Sequence, residues 1–387
     1  MANNPIGFTI GATISNDNCI KGADFDSVFV RSECFSDGGL WLWGYNSFGQ
    51  LGDGTTIDRS SPVQTIAGGT NWKEITTGYY HTASVKTDGT LWSWGVNAKG
   101  QLGDNSIINK SSPVQTIAGG VNWKKVSGGL FHTIAIKTDG SIWTWGYNAS
   151  GQLGDNTILN RSSPVQIVGF NSYWCSVSTG WQHSAAIRVD GTLWLWGNNS
   201  CGQLGINTFS NASSPVQTSS GNTNWKQVST SNKVTTAIKT DGTLWAWGDG
   251  SLGQIGLGDY NNKLTPTQTG CNFTDWRHVS NTGPAVLAIK SDGTAWSWGY
   301  GSSANSCLPE IKSNVPFRCA AGGFDSVALL CTNGRLIIGA GNTHGEVGNN
   351  TTSVSEPQMV ETVAGGTNWR SISFGKYYSA AIRDNCW

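Results

Sequence analysis

Three histidines recur at one position of the sequence, and histidines at a fixed spacing are candidates for binding a metal ion. His81, His132 and His183 are 51 residues apart, and each precedes an aspartate by seven residues. A shared zinc ion would need all three imidazoles within about 2.1 Å of the metal. The equivalent positions later in the chain hold valine, alanine and serine. We therefore predict that these histidines begin β-strands and are hydrogen-bonded, and we expect no metal site.

Aspartates recur in the same way, again without a pattern that supplies chemistry. Asp53, Asp104 and Asp155 lie in loops that lack the Asp-x-Asp-x-Asp-Gly spacing of a calcium site, so we predict that they cap turns. The sequence has no Gly-x-Ser-x-Gly, His-Glu-x-x-His or phosphate-binding P-loop motif. We therefore expect no enzyme activity, no cofactor and no small-molecule substrate.

The fixed spacing comes from an internal repeat of 51 residues. The string Asp-Gly-x-Leu-Trp-x-Trp-Gly, with isoleucine or alanine for leucine in two copies, begins at six aspartates: Asp37, Asp88, Asp139, Asp190, Asp241 and Asp292. A seventh, degraded copy begins at Asn333. A second string, Gly-Gln-Leu-Gly or an altered form of it, follows in every unit except the sixth.

One unit predicts four strands, at residues 71–75, 81–86, 90–95 and 112–116. Asp88-Gly89 favours a two-residue hairpin turn, and Pro113 limits the last strand to a sheet edge. Four strands in each of seven units predict an all-β, seven-bladed β-propeller of four-stranded blades. Eighteen of the 20 tryptophans fall at fixed strand positions, and we predict that they fill the gaps between neighbouring blades.

These strings together resemble the regulator of chromosome condensation repeat family over about residues 27–384. The resemblance implies a seven-bladed propeller that binds proteins, since members act as exchange factors for a small GTPase or as inhibitors. Residues 60–69 and 111–120 are identical, and such alike blades resemble bacterial and bacteriophage members. A light-receptor role is not expected, because one blade alone carries a loop tryptophan, Trp181, and Gln182 replaces the arginine of that motif.

The two inner strands of the repeat do not occur equally often in the sequence. The strand of small residues occurs eight times and the tryptophan strand seven times, so one half-unit is surplus. We predict that residues 1–36 form a latch or docking arm with this half-unit, and that residues 37–387 form one propeller domain. Which end closes the ring is left open. The sixth unit is ten residues short, through drift or because it makes a specific contact.

The loop between the first two strands is aromatic in several units. Equivalent loops of a propeller emerge on one face around the channel mouth, so their side chains would form a broken ring there. Aromatic side chains anchor many protein interfaces, although here they could instead cover the core. The candidate partner-binding residues are Tyr79, Tyr80, Leu130, Phe131, Trp181, Phe324, Tyr377 and Tyr378.

Composition narrows the class of partner. Lysine and arginine number 24, aspartate and glutamate number 24, and charged residues make up 12% of the chain. We therefore expect no nucleic-acid or membrane partner, and no signal peptide, with a location in a virion or otherwise the cytoplasm. We predict a non-enzymatic interaction or structural module, such as a bacteriophage protein that binds capsid or tail subunits. The alternative is a nucleotide exchange factor or an inhibitor-type binder of a soluble protein.

Overall fold

Each unit of the repeat forms an antiparallel β-sheet in the computed structural model of the chain. The structure describes residues 38–384 apart from 119, 170–171, 271, 282, 284, 300–315, 323–325 and 353–359. These residues form 27 strands in seven sheets. This part of the chain contains no helix that is long and apolar enough to cross a membrane.

The blades follow one another along the chain, and the first two strands belong to the blade that closes the ring. Those strands are β1 (Gly39–Gly44) and β2 (Arg59–Gln64). Blades 1 to 3 consist of β3 (Trp72–Thr77), β4 (His81–Lys86), β5 (Leu91–Gly95) and β6 (Lys110–Gln115); β7 (Trp123–Gly128), β8 (His132–Lys137), β9 (Ile142–Gly146) and β10 (Arg161–Gln166); and β11 (Trp174–Thr179), β12 (His183–Arg188), β13 (Leu193–Gly197) and β14 (Ala212–Gln217).

Blades 4 to 6 are formed by β15 (Trp225–Thr230), β16 (Val234–Lys239), β17 (Leu244–Gly248) and β18 (Lys263–Gln268); β19 (Trp276–Asn281), β20 (Ala285–Lys290) and β21 (Ala295–Gly299); and β22 (Phe317–Gly322), β23 (Ser326–Cys331), β24 (Leu336–Ala340) and β25 (Val360–Glu361). The closing blade is completed by β26 (Trp369–Phe374) and β27 (Tyr378–Arg383). The proline of each edge strand lies in the outermost strand of its sheet, as predicted.

The C-terminal strands close the ring. The closing sheet has the order β2-β1-β27-β26, and β27 pairs with β1 from Gly39 opposite Arg383 to Gly44 opposite Tyr378. The first strands of successive blades contact one another around a complete circle of seven. The predicted all-β, seven-bladed propeller is confirmed. The predicted arm at residues 1–36 and the shortened segment at 300–315, where a fourth strand of blade 5 would fall, lie outside the described residues.

The second tryptophan of each repeat joins its blade to the preceding one. The buried Trp94 donates its indole N–H to the carbonyl oxygen of Gln50 at 2.9 Å. Gly52 packs on the indole with a φ of +67°, and a Cβ there would lie 2.7 Å from Nε1, so only glycine fits. The Gly-Gln-Leu-Gly string thus supplies both the acceptor and the packing surface. The same bond recurs, at 2.8–3.1 Å, from Trp43, Trp145, Trp196, Trp247 and Trp298.

The first tryptophan of each repeat also packs against the cluster between neighbouring blades, but it is less buried than the other two. Trp92 is only partly buried, and its indole lies under the Lys86 ammonium, 5.0 Å from the ring centroid. The same ammonium lies 4.6 Å from the ring of the buried Trp72. Such cation–π contacts contribute about 0.5–1 kcal/mol at exposed sites. The first tryptophan therefore packs at the edge of the gap, at the end where the Asp-Gly turns lie, and the other two tryptophans of a unit are buried within the gap.

Candidate partner-binding face

The predicted face lies above a row of buried groups that link neighbouring blades. His81 begins β4, and its Nε2 lies 3.0 Å from the Thr133 hydroxyl of blade 2. That hydroxyl donates to the Gln101 carbonyl at 2.8 Å, so the imidazole is the donor to Thr133. Burial lowers the pKa of His81 to about 3, which makes it neutral at pH 7. His132 and His183 repeat this bond to Ser184 and Thr235, so the prediction of strand-starting, hydrogen-bonded histidines is confirmed.

A glycine above each histidine starts the loop between the first two strands. A Cβ on Gly78 would lie 2.1 Å from the His81 ring and 2.5 Å from the Gly129 carbonyl oxygen, so the loop has no room for a side chain. The next residues are joined to neighbouring blades through their backbones. Tyr79 N donates to Gly129 O at 3.3 Å, and Lys376 N donates to Tyr79 O at 3.0 Å. These bonds hold the loop side chains in fixed positions around the channel mouth.

Five of the predicted residues meet in one cluster over blades 1 to 3. The centroid of the Tyr79 ring lies 4.7 Å from that of Tyr80, 6.1 Å from that of Phe131 and 6.2 Å from that of Trp181. All four rings are partly exposed. Leu130 lines the mouth beside Tyr79 and Trp181. These residues lie together, as predicted, on the face where the loops emerge.

Tyr378 does not belong to this face, which corrects its assignment. It is fully buried, and its hydroxyl donates to the His81 carbonyl oxygen at 2.6 Å. Tyr378 pairs with Gly44 just as His81 pairs with Gly95, so it occupies the histidine position of the closing blade. Tyr377 is the exposed loop residue there. Phe324 lies outside the described residues.

A second set of loops contributes rings that the sequence analysis missed. Tyr45 and Phe48 lie between β1 and β2, and their ring centroids are 5.7 Å and 5.1 Å from that of Tyr80. His344 joins them, with its ring 4.8 Å from Tyr45 and 5.5 Å from Tyr377. In each blade the loop after the third strand emerges on the same face as the loop after the first. The aromatic residues of these loops could therefore have been assigned to this face from the sequence. We call the continuous set Tyr45, Phe48, Tyr79, Tyr80, Phe131, Trp181 and Tyr377 the aromatic crescent.

The crescent surrounds a lysine. The Lys376 ammonium donates to the Tyr79 hydroxyl at 2.5 Å and lies 4.6 Å and 5.0 Å from the ring centroids of Tyr79 and Tyr377. Burial raises the pKa of the Tyr80 hydroxyl, which keeps it protonated beside this cation. At the outer edge, His344 Nδ1 lies 2.8 Å from a carboxylate oxygen of Asp58. The face therefore combines flat apolar rings with one central positive charge.

The crescent ends at blade 4. The two loop positions there hold Asn232 and Lys233 instead of aromatic residues. A cavity of about 230 Å³ lies at this boundary, lined by Trp181, Gln182, Asn198, Asn232 and Lys233. A smaller cavity of about 60 Å³ opens on the axis of the channel, between the loop glycines and Lys376. The face is thus asymmetric, with an aromatic side and a polar side.

The sequence matches a known family along most of its length. A family model described as an RCC1-like domain matches residues 34–319. The ultraviolet-B receptor UVR8 of Arabidopsis thaliana is 34% identical over 292 residues, which cover 72% of this chain and 64% of that protein. The human E3 ubiquitin-protein ligase HERC2 is 26% identical over 88% of this chain, but only 8% of HERC2 is covered. This chain therefore spans less than two thirds of either relative.

Solved structures agree in fold. Human WBSCR16 superposes with a TM-score of 0.78 at 20% identity, covering 90% of this chain and 99% of that one. Yeast RCC1 (Prp20), in a structure with Kap60 bound, gives 0.79 at 18% identity, covering 97% and 94%. The curated relatives come from plants and animals, so the expected likeness to bacterial and bacteriophage members gains no support.

Proposed function

This chain belongs to the family of RCC1-like domains, and on that premise we propose that it is a non-enzymatic module that holds another protein on its aromatic crescent. The observation that carries the proposal is the continuity of the crescent. Its seven rings come from loops of four blades. Six of them contact another member within about 6 Å, and Tyr377 joins them through the ring of His344. Rings in such a cluster are the side chains that dominate binding energy at protein interfaces.

The rigidity of the loops favours partner binding over the alternative that the aromatic rings only cover the core. The loop backbones are bonded from blade to blade, so little conformational freedom is lost when a partner docks. Beside the loops, the Asn46 amide group donates to Asp53 and to the carbonyl oxygens of Thr55 and Ile57. Asp53 also accepts from Arg59, and it caps the turn at Thr55 as the sequence analysis predicted. Both sets of loops therefore present their rings on a prearranged surface.

The proposal can be tested with variants that leave the buried core intact. Tyr79→Ser, Phe131→Ser and Trp181→Ser together remove the centre of the crescent. The matched control replaces Val121 and Tyr173, which are exposed by 69% and 64% on the opposite face, with serine. Cross-linking in an extract of the source cells, read by mass spectrometry, should give partners shared by the parent chain and the control and lost from the crescent variant. Retention of the same cross-links by all three proteins would contradict the proposal.

A virion component remains the more specific candidate from the sequence. The identity of residues 60–69 with 111–120 is the observation that favours it. In that case the chain should sediment with particles at fixed stoichiometry, and deletion of residues 1–36 should release it. Recovery of the whole population as free protein in the cytoplasm would contradict this candidate.

Exchange activity on a small GTPase is the competing candidate among binding functions. One relative with this fold, yeast Prp20p, has a structure reported together with its binding properties to Gsp1p and histones. An exchange factor should accelerate nucleotide release from a GTPase, and Tyr79→Ala should slow that release. A binder that is not an exchange factor should leave the release rate unchanged.

A further inference from the structure

Positive charges gather at one register around the bottom of the channel. The second residue of the first strand is a cation in six of the seven blades, although lysine and arginine make up only 24 of the 387 residues. Blade 3 has the buried Cys175 at this position. We call the six cations the basic ring: Lys73, Lys124, Lys226, Arg277, Arg318 and Arg370.

Each member of the basic ring is the extra residue of a β-bulge. The pairing between the first and second strands shifts there in every blade, as between Trp72 and Glu74 in blade 1. A bulged residue is left out of the regular pairing and is re-aimed by the local bend. Seven equivalent bulges on the innermost strands therefore direct their side chains to one end of the channel. Neighbouring first strands contact one another, so the cations at this register follow one another around the channel.

Three of the cations extend around the ring from blade to blade. Arg277 Nη2 donates to the Phe317 carbonyl oxygen at 2.8 Å, and Arg318 Nη2 donates to that of Arg370 at 3.2 Å. Arg370 Nη2 donates to the Trp72 carbonyl oxygen of blade 1 at 2.6 Å, and its Nη1 forms an ion pair with Asp384 at 3.1 Å. These bonds orient the guanidinium groups along the rim of the channel.

A purely structural role does not explain the whole set. Lys73 and Lys226 are exposed, and among the described residues neither has a hydrogen bond or an ion pair. Blade 6 has lost both tryptophans of its third strand, which holds Ile337 and Gly339 at those positions, yet it keeps Arg318. The positive charge is thus retained where the structural motif is not.

The carboxylates of the turn aspartates limit the size of the ligand that the basic ring could bind. The exposed turn aspartates lie outside the ring on the same face, and Gly89 of such a turn accepts the Trp123 N–H at 3.0 Å at the start of the next blade. The hydrogen bond from Thr90 lowers the pKa of Asp88, so this carboxyl is charged at neutral pH. A duplex lying across the face would meet these carboxylates. A compact anion on the axis would meet the cations first.

We propose that the basic ring binds a compact, soluble polyphosphate anion on the channel axis, at the end opposite the crescent. Lys73, Lys226, Arg277 and Arg318 are the groups that would contact it, because Arg370 is already paired with Asp384. Charged hydrogen bonds to phosphate oxygens are the strong kind, and arginine suits them through its planar fork. The site is separate from the crescent and does not depend on the proposed function.

Titration of the full chain with inorganic tripolyphosphate, followed by calorimetry, tests this. We expect one anion per chain, and affinity that falls as salt is raised. Lys73→Gln together with Lys226→Gln should weaken binding by about a hundredfold or more, since each charged bond contributes more than a factor of ten. The matched control, Lys99→Gln with Lys233→Gln on the opposite face, should leave binding unchanged. Arg318→Gln should also weaken it, with urea unfolding to confirm that the variant is folded.

Four results would overturn the proposal. One is the absence of saturable binding, and another is an equal loss of affinity in the Lys99 and Lys233 control. A DNA duplex that binds more tightly than tripolyphosphate would assign the ring to nucleic acid. Binding to vesicles containing phosphatidylinositol bisphosphate, without binding of free tripolyphosphate, would assign it to a lipid surface.

Discussion

The interface between blades 1 and 2 and the interface between the closing blade and blade 1 have the same backbone geometry and different buried polar groups. In the first, His81 Nε2 donates to Thr133, and its Nδ1 has no partner within the described residues. In the second interface, the Tyr378 hydroxyl takes the place of the imidazole Nε2. It donates to the His81 carbonyl at 2.6 Å, and its oxygen lies 3.2 Å from the Thr82 hydroxyl.

The comparison separates the contact that both blade interfaces share from the contact that varies between them. The indole–carbonyl bond is present in both, from Trp145 to Gln101 and from Trp94 to Gln50. The residue at the start of the second strand varies, and at the closing blade its one polar side-chain atom has a hydrogen-bond partner. An unpaired buried polar group costs about 1–3 kcal/mol. The interface between the closing blade and blade 1 thus avoids a cost that the three histidine interfaces carry.

Removing the shared tryptophan should have the largest effect, and an equal one at both interfaces. Trp145→Ala and Trp94→Ala should each lower the free energy of unfolding by about 3–5 kcal/mol, because a fully buried indole and its hydrogen bond are lost. Urea unfolding followed by far-UV circular dichroism measures this. Trp143→Ala, at the partly exposed first position, is the matched control and should lose clearly less. A much smaller loss at Trp94 than at Trp145 would show that the interface between the closing blade and blade 1 is held by other contacts.

Acid should weaken the histidine interfaces and not the closing one. Burial lowers the pKa of His132 to about 3, with smaller contributions from His81 and His183. The unfolded chain binds a proton near pH 6.5 and the folded chain does not, so stability falls as the pH falls from about 6.5 towards 3. Between pH 7 and pH 5 one such histidine accounts for about 2 kcal/mol of that loss.

His132→Gln sharpens this test, because an amide can still donate to Ser184 but does not titrate. The variant should lose about 2 kcal/mol less than the parent chain between pH 7 and pH 5, whatever its stability at pH 7. Urea midpoints at the two pH values give the difference. An unchanged pH dependence would mean that His132 is protonated in the folded chain.

The closing hydroxyl should matter less than either. Tyr378→Phe removes one bond and leaves the Thr82 hydroxyl with its bond to the Gln50 carbonyl, so we expect a loss of about 1–2 kcal/mol. Tyr377→Phe, next to it but partly exposed, is the control and should change the free energy of unfolding by less than about 0.5 kcal/mol. Equal effects from the two substitutions would contradict the assignment of Tyr378 to the core.

The repeat made the blade count and most strand bounds predictable, because a 51-residue period with hairpin turns leaves few other folds. The misplaced Tyr378 was also predictable. It lies nine residues after Trp369, as His81 lies nine after Trp72, and this spacing marks the buried position. Other features depend on three dimensions. The contact of Phe48 with Tyr80 joins the closing blade to blade 1. The basic ring was not predicted, because the net charge of zero is a sum over the whole chain and does not show that the fold places six cations on one face.

The smallest expected effect concerns blade 6, at its interface with the closing blade. Glu346 stands where the other blades have glutamine, and its carboxylate accepts from the His344 N–H at 2.8 Å, as the Gln101 side chain does from Lys99. Burial raises the pKa of this carboxyl, so the buried charge destabilises the fold as the pH rises through that pKa. Glu346→Gln should therefore gain stability at pH 7, by less than about 1 kcal/mol, and gain nothing at pH 4. Urea midpoints at both pH values measure the gain. A loss at pH 7 would instead show that the charge is used, through the nearby His344, to hold the two ends of the chain together.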